Sequence, residues 1–188
     1  MPGKEEIERD PQWLPHRVDM QTRCMKFLYI ERVALAPQFL ADLNPAQSLD
    51  EAWLPLSDVA AMQPKAGPIN FIFHTAFCRS TLLVRALEIE GVCAGLSEPG
   101  IFASLVNVGE PAHGLVKPVL DLLSRPFSTD EAVFVKPKNH ANMLIPALLD
   151  ARRDAKVILM TSELETFLGS IISGGLLGGG GAETSILS

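Results

Sequence analysis

From Pro68 onward the chain alternates short apolar runs with longer stretches of helical spacing, and no other feature limits its fold so strongly. The runs are INFIFHT, GVCAGLS, AVFVKP and KVILMTS, each bounded by Gly, Pro or charged residues. Apolar residues at consecutive positions mark strands covered on both faces, the condition of a parallel sheet. Between the runs lie STLLVRALEIEG, PAHGLVKPVLDLLSR and NHANMLIPALLDARR, with apolar residues at helical spacing and with Pro118 and Pro146 interrupting two of them. After the last run, Leu164, Phe167, Leu168, Ile171 and Ile172 line one side of an amphipathic helix. The alternation predicts an α/β fold of three layers, a mostly parallel sheet of about four to five strands with crossover helices.

The 188 residues, 47% hydrophobic and 20% charged, suffice for one such domain with a sizeable core. Residues 67–174 are expected to form it. Residues 1–66 read as an accessory segment packing on that core, in which MKFLYIERVAL and QFLADL, between Pro and Asn breaks, predict a strand and a helix. Residues 175–188 belong to SGGLLGGGGAETSILS, whose glycines cost too much backbone entropy to extend a helix and predict a flexible tail. A net charge of −6 argues against a nucleic-acid surface, which needs clustered Lys and Arg. Cys24, Cys78 and Cys93 are odd in number and lack metal-ligand spacing, so neither a disulfide framework nor a metal site is expected and a reducing, cytoplasmic setting fits. The charged N-terminus lacks a signal-like apolar region, and no run is long enough to span a bilayer, so no membrane association is expected.

In a parallel sheet, ligands bind beyond the carboxyl ends of the strands, where a tight turn opens the next helix. HTAFCRSTLL occupies that place after the first run. Ser80 and Thr81 fall in the first helical turn, where their hydroxyls either cap the helix or join the backbone amides in holding an anion. The turn is not a nucleoside-triphosphate loop of the G-x-x-x-x-G-K-[ST] type, because it has neither the Lys nor the glycines. Nor does Cys78 stand at the spacing from Arg85 that a phosphatase thiolate loop requires; a packed thiol is the simpler reading of Cys78. His74 and Arg85 read as structural.

FIFHTAFCRSTLLVRALEIEGVCAGLSEP resembles the first strand–helix–strand segment of the sulfotransferase family, in its bacterial and tyrosylprotein-type branches. Their pattern is roughly F-x-x-R-x-G-[ST]-T-L-L-x-R-x-L followed by an apolar strand ending in Glu; STLLVRAL and LSEP carry the match. VFVKPKNHANMLIPALLDARRDAKVILMTSELETFLGSI resembles a later segment of the same family, and together the two cover about Ile69 to Ile172. The resemblance implies a P-loop-like fold and 3'-phosphoadenosine-5'-phosphosulfate (PAPS) as co-substrate, with a small-molecule or peptide acceptor.

It also implies site residues. The loop Ala76, Phe77, Cys78, Arg79, Ser80, Thr81 and Leu82 would hold the phosphosulfate end of the donor, and Ser170 its 3'-phosphate. Glu98, ending the second run, would be the general base that takes the acceptor proton; a carboxylate favouring the following helix dipole is the alternative. From their own places in the chain, Arg79, out of the family's register, and Lys136 and Lys138, ending the third run, would supply charge to the transferring group, and His140 is a second possible base. The family carries Lys or Arg at the position of Phe77, Gly at that of Arg79 and Arg at that of Ser162. Ser162 here reads with Glu165 as a capping box. These differences leave two alternatives to a transferase: a degenerate, non-catalytic adenosine-phosphate-binding module, and a P-loop-like nucleotide-dependent phosphotransferase.

Overall fold

The computed structural model describes residues 2–35, 40 and 50–177. Its centre is a four-stranded, all-parallel sheet of β4 (Ile69–His74), β5 (Cys93–Ser97), β6 (Ala132–Lys136) and β7 (Val157–Met160), in the order β5-β6-β4-β7. Helices α3 (Ser80–Ala86), α4 (Gly100–Val108), α5 (Val116–Leu123), α6 (Ile145–Ala151) and α7 (Leu164–Leu177) accompany it. The expected α/β class and its four strands are therefore present. Pro118 and Pro146 fall in the first turns of α5 and α6, where a missing N–H breaks no helical bond, and 3-10 segments precede both helices.

The N-terminal part is more regular than its composition predicts. After a short α1 (Lys4–Arg9), the strands β1 (Trp13–Asp19), β2 (Cys24–Tyr29) and β3 (Asp50–Pro55) form an antiparallel sheet, followed by α2 (Leu56–Ala60). A single strand was expected here; the second and third arise because WLPHRVD and DEAWLP can pair with both edges of CMKFLY. The QFLADL stretch lies outside the described residues except for Leu40.

Both sheets feed one apolar core. Trp13, Met25, Phe27 and Leu28 from the first meet Phe71, Phe73, Val133 and Val135 from the second, with Phe102 and Leu105 of α4 between them. Arg125 rivets the N-terminus to α5. Its buried guanidinium donates to the carbonyls of Leu122, Asp10 and Trp13 at 2.6, 2.7 and 2.5 Å, and to that of Ile7. Burial pushes its pKa down to about 9, which leaves it charged at neutral pH.

Two expectations for the C-terminal part need correction. β7 was expected to be buried, but it is an edge strand, and Val157, Ile158 and Leu159 are 42%, 37% and 70% exposed. The helix was expected to stop before the glycines, whereas α7 continues through Gly174 and Gly175 to Leu177. Each further residue of an existing helix adds a hydrogen bond, and near its end this offsets the glycine entropy. The rest of the predicted tail lies outside the described residues.

Candidate functional site

The strand order creates a topological switch. From β4 the chain crosses β6 to reach β5, and from β6 it crosses β4 to reach β7, so the carboxyl ends of β4 and β6 face a crevice between diverging connections. A cleft of about 450 Å³ occupies that crevice. Ala76, Phe77, Cys78 and Arg79 line it from the loop after β4, Ser80 and Thr81 from the start of α3, Glu98 from just past the end of β5, Lys136 from the end of β6, Lys138 from the loop after it and Ser170 from α7. Residues far apart in the chain and singled out by the sequence thus share one concavity.

The loop is unusual in its backbone. Phe77 and Arg79 have φ of 59° and 61°, the left-handed region, which costs a non-glycine residue roughly 1–2 kcal/mol. The position where the family resemblance has glycine is thus one where glycine would relieve strain. Alternation of backbone hand turns successive N–H groups to the same side, the geometry of an anion nest. Accordingly, none of the amides from Ala76 to Thr81 donates to another described residue. Thr75 N–H is spent on Met160 and Leu82 N–H on Arg79 O, which bounds the nest on either side.

Ser80 and Thr81 do not cap α3. The cap position is Arg79, no side chain bonds there, and the Ser80 and Thr81 hydroxyls make no hydrogen bond among the described residues. Ser80 is nonetheless buried, at 4% exposure. Leu82 does not join the cleft. It is 69% exposed and absent from the lining, so of the predicted loop residues it alone is set apart.

Glu98 and Lys136 meet. Ser97 pairs with Lys136 in the parallel ladder, Glu98 N–H donates to Lys136 O at 2.7 Å, and the Lys136 ammonium lies 2.5 Å from Glu98 Oε1. The ammonium side chain is 1% exposed, so the carboxylate neutralises a buried charge. Glu98 itself has φ of 53°, between the strand and Pro99, which disfavours the right-handed conformation for the residue before it. The contact engages Oε1 of the carboxylate, and no hydrogen bond from a described residue reaches Oε2. A helix-dipole role alone does not account for this pairing. The sequence held its signal, since both residues end parallel strands, but the register that joins them is tertiary.

His74 and Asn139 also line the cleft and were missed as site residues. The two ring nitrogens of His74 lie 2.9 and 3.0 Å from the carbonyls of Thr75 and Pro137, tying the β4 loop to the β6 loop, and Asn142 Nδ2 donates to His74 O. This agrees with a structural role for His74. His140 does not line the cleft and is exposed.

Phe77 presents no charge. Its ring stands edge-on to Phe167 of α7, with centroids 6.0 Å apart, and so props α7 over the loop. Ser170 Oγ donates to Thr166 O within α7. The capping box expected from Ser162 and Glu165 is absent: Phe167 N–H bonds Glu163 O, which puts Glu163 at the cap, and the buried Ser162 hydroxyl has no partner among the described residues.

Fold and cleft define a class, a parallel α/β protein whose switch-point crevice combines free amides, cations and a carboxylate, which suits an anion and a neighbouring group that loses a proton. No protein-family model matches the chain, and no curated protein or solved structure matches it. Among the described residues no group of His, Cys, Asp and Glu could hold a metal, and no helix is long and apolar enough to cross a membrane.

Proposed function

We propose that the chain is a sulfotransferase-like protein that binds PAPS in this cleft and transfers its sulfuryl group to an acceptor hydroxyl or amine. One observation carries the reading: the uncommitted amides of residues 76–81, in a loop strained at Phe77 and Arg79, converge on a crevice that also holds Lys136 and Glu98. The amides and the Ser80 and Thr81 hydroxyls take the 5'-phosphosulfate, Arg79 and Lys136 offset its charge, and Ser170 faces the 3'-phosphate. The acceptor oxygen or nitrogen forms a bond to sulfur as the bond from sulfur to the 5'-phosphate oxygen breaks. Glu98 receives the acceptor proton, and 3',5'-adenosine diphosphate leaves.

The non-catalytic module is the second reading, favoured by Phe77, whose ring fills the position of a cation, and by Lys136, which occupies one oxygen of the base. The absence of a Lys before Ser80 counts against a phosphotransferase. Calorimetric titration with 3',5'-adenosine diphosphate, with ATP for comparison, tests the site. Selective bisphosphate binding that Ser80→Ala with Thr81→Ala weakens is expected, and no binding, or binding indifferent to that change, refutes the donor site. Incubation with ³⁵S-labelled PAPS and a panel of phenols, amines and tyrosine peptides separates the first two readings, since the module binds donor without labelling any acceptor.

A further inference from the structure

A second cleft, of about 420 Å³, opens between β1 and α4 and shares no lining residue with the first. It is built by an irregularity. β1 pairs with β2 through Pro15↔Phe27 and then Arg17↔Lys26, so His16 is an extra residue with no partner in the ladder. A bulge of this kind re-aims a side chain. The imidazole is thrown onto Gly100 at the start of α4, so close that a Cβ there would lie 2.9 Å from two ring atoms. Ser104 fixes the two walls, its hydroxyl accepting from Val18 N–H at 2.8 Å.

The cleft's remaining polar groups are uncommitted. Among the described residues neither ring nitrogen of His16, nor the Arg17 guanidinium, nor the Asn107 amide makes a hydrogen bond, and the Gly100 N–H donates to nothing. Burial, then the nearby Lys26 and Arg17, hold the His16 pKa below the usual imidazole value, so at neutral pH the ring is uncharged. Lys26 is itself neutralised by Glu51 at 2.5 Å. Asp19, the carboxylate near Arg17, spends Oδ1 on the amides of Gln21 and Thr22. The cleft therefore offers one guanidinium, in fork geometry, beside an uncharged imidazole and apolar walls from Val18, Ala103 and Val108, while the Asp19 carboxylate lies outside its lining.

We propose that this cleft is a second ligand site, for a small molecule carrying one carboxylate, gripped by Arg17 with His16 and Asn107 as hydrogen-bond partners. One guanidinium matches a monoanion, and carboxylate is the planar monoanion its fork binds at two points. The proposal does not depend on the identity of the ligand at the other cleft.

The test is nuclear magnetic resonance of the ¹⁵N-labelled full chain titrated with benzoate, with benzamide as its neutral counterpart and inorganic phosphate as the other anion. Benzoate is expected to shift the amides of Val18, Gly100 and Ala103 saturably, benzamide to leave them unmoved, and Arg17→Gln to weaken benzoate at least tenfold, through the loss of the two-point charged grip, at unchanged melting temperature. The site is overturned by no saturable shift at millimolar benzoate, by an equal response to benzamide, or by undiminished affinity in Arg17→Gln. Phosphate binding more tightly than benzoate overturns the carboxylate assignment.

Discussion

The Glu98–Lys136 pair gives the site its sharpest energetic signature. At 2.5 Å and an effective dielectric of about 20, the attraction is on the order of 6 kcal/mol. Desolvation of the two groups returns several kcal/mol, since Lys136 is almost fully buried and Glu98 nearly so. A net coupling of about 3 kcal/mol remains. Glu98→Gln takes the carboxylate partner from a buried ammonium and should lower stability by about 3–4 kcal/mol, whereas Lys136→Met leaves a carboxylate that lines a cleft and should cost about 1–2 kcal/mol. The double variant should then lose only about 2 kcal/mol, well under the sum of the two single losses. Urea unfolding of the parent, both single variants and the double variant closes this cycle. Additive losses, with coupling under about 0.5 kcal/mol, would refute the claim that the two charges depend on each other.

Further outcomes follow from other parts of the structure. Gly95→Ala places a Cβ 2.3 Å from Val84 O, a backbone atom that cannot step aside, so α3 must move off β5; thermal unfolding should read a loss of about 2–4 kcal/mol, and an unchanged midpoint would contradict the packing. Arg125→Met strips four carbonyls of their buried donor and should destabilise by about 3–5 kcal/mol in urea, while Lys117→Met, at an exposed i,i+4 pair with Asp121, should change little. The His16 pKa is depressed in the folded chain, so the unfolded chain binds the extra proton as pH falls below the usual imidazole value. The stability contribution is complete above about 6.5 and declines as pH drops through the folded value, and His16→Gln should flatten that slope in unfolding midpoints measured between pH 7 and 5. Equal slopes in both proteins would show that another group carries the acid sensitivity.

How far the site was legible depended on the distance over which its signals act. INFIFHT, GVCAGLS, AVFVKP and KVILMTS declared strands because apolar patterning and flanking breaks are local, and the place of the turn after the first of them, on the cleft at the strand ends, follows from the fold class. The N-terminal sheet was half hidden, since WLPHRVD and DEAWLP become strands only when CMKFLY offers both edges. The stop expected at the glycines was a propensity argument, and propensity is a weak prior against continued helical bonding.

Sequence alone therefore determined the α/β class, the loop at residues 76–81 and the identity of the charged residues that end the strands. Only the tertiary structure decided the order β5-β6-β4-β7, which brings the ends of β4 and β6 together. It also decided the register that seats Lys136 against Glu98, the left-handed backbone at Phe77, Arg79 and Glu98, and the bulge that aims His16. Strand order, register and backbone hand are set by which buried surfaces and hydrogen bonds the whole chain satisfies at once, and no single segment encodes that balance.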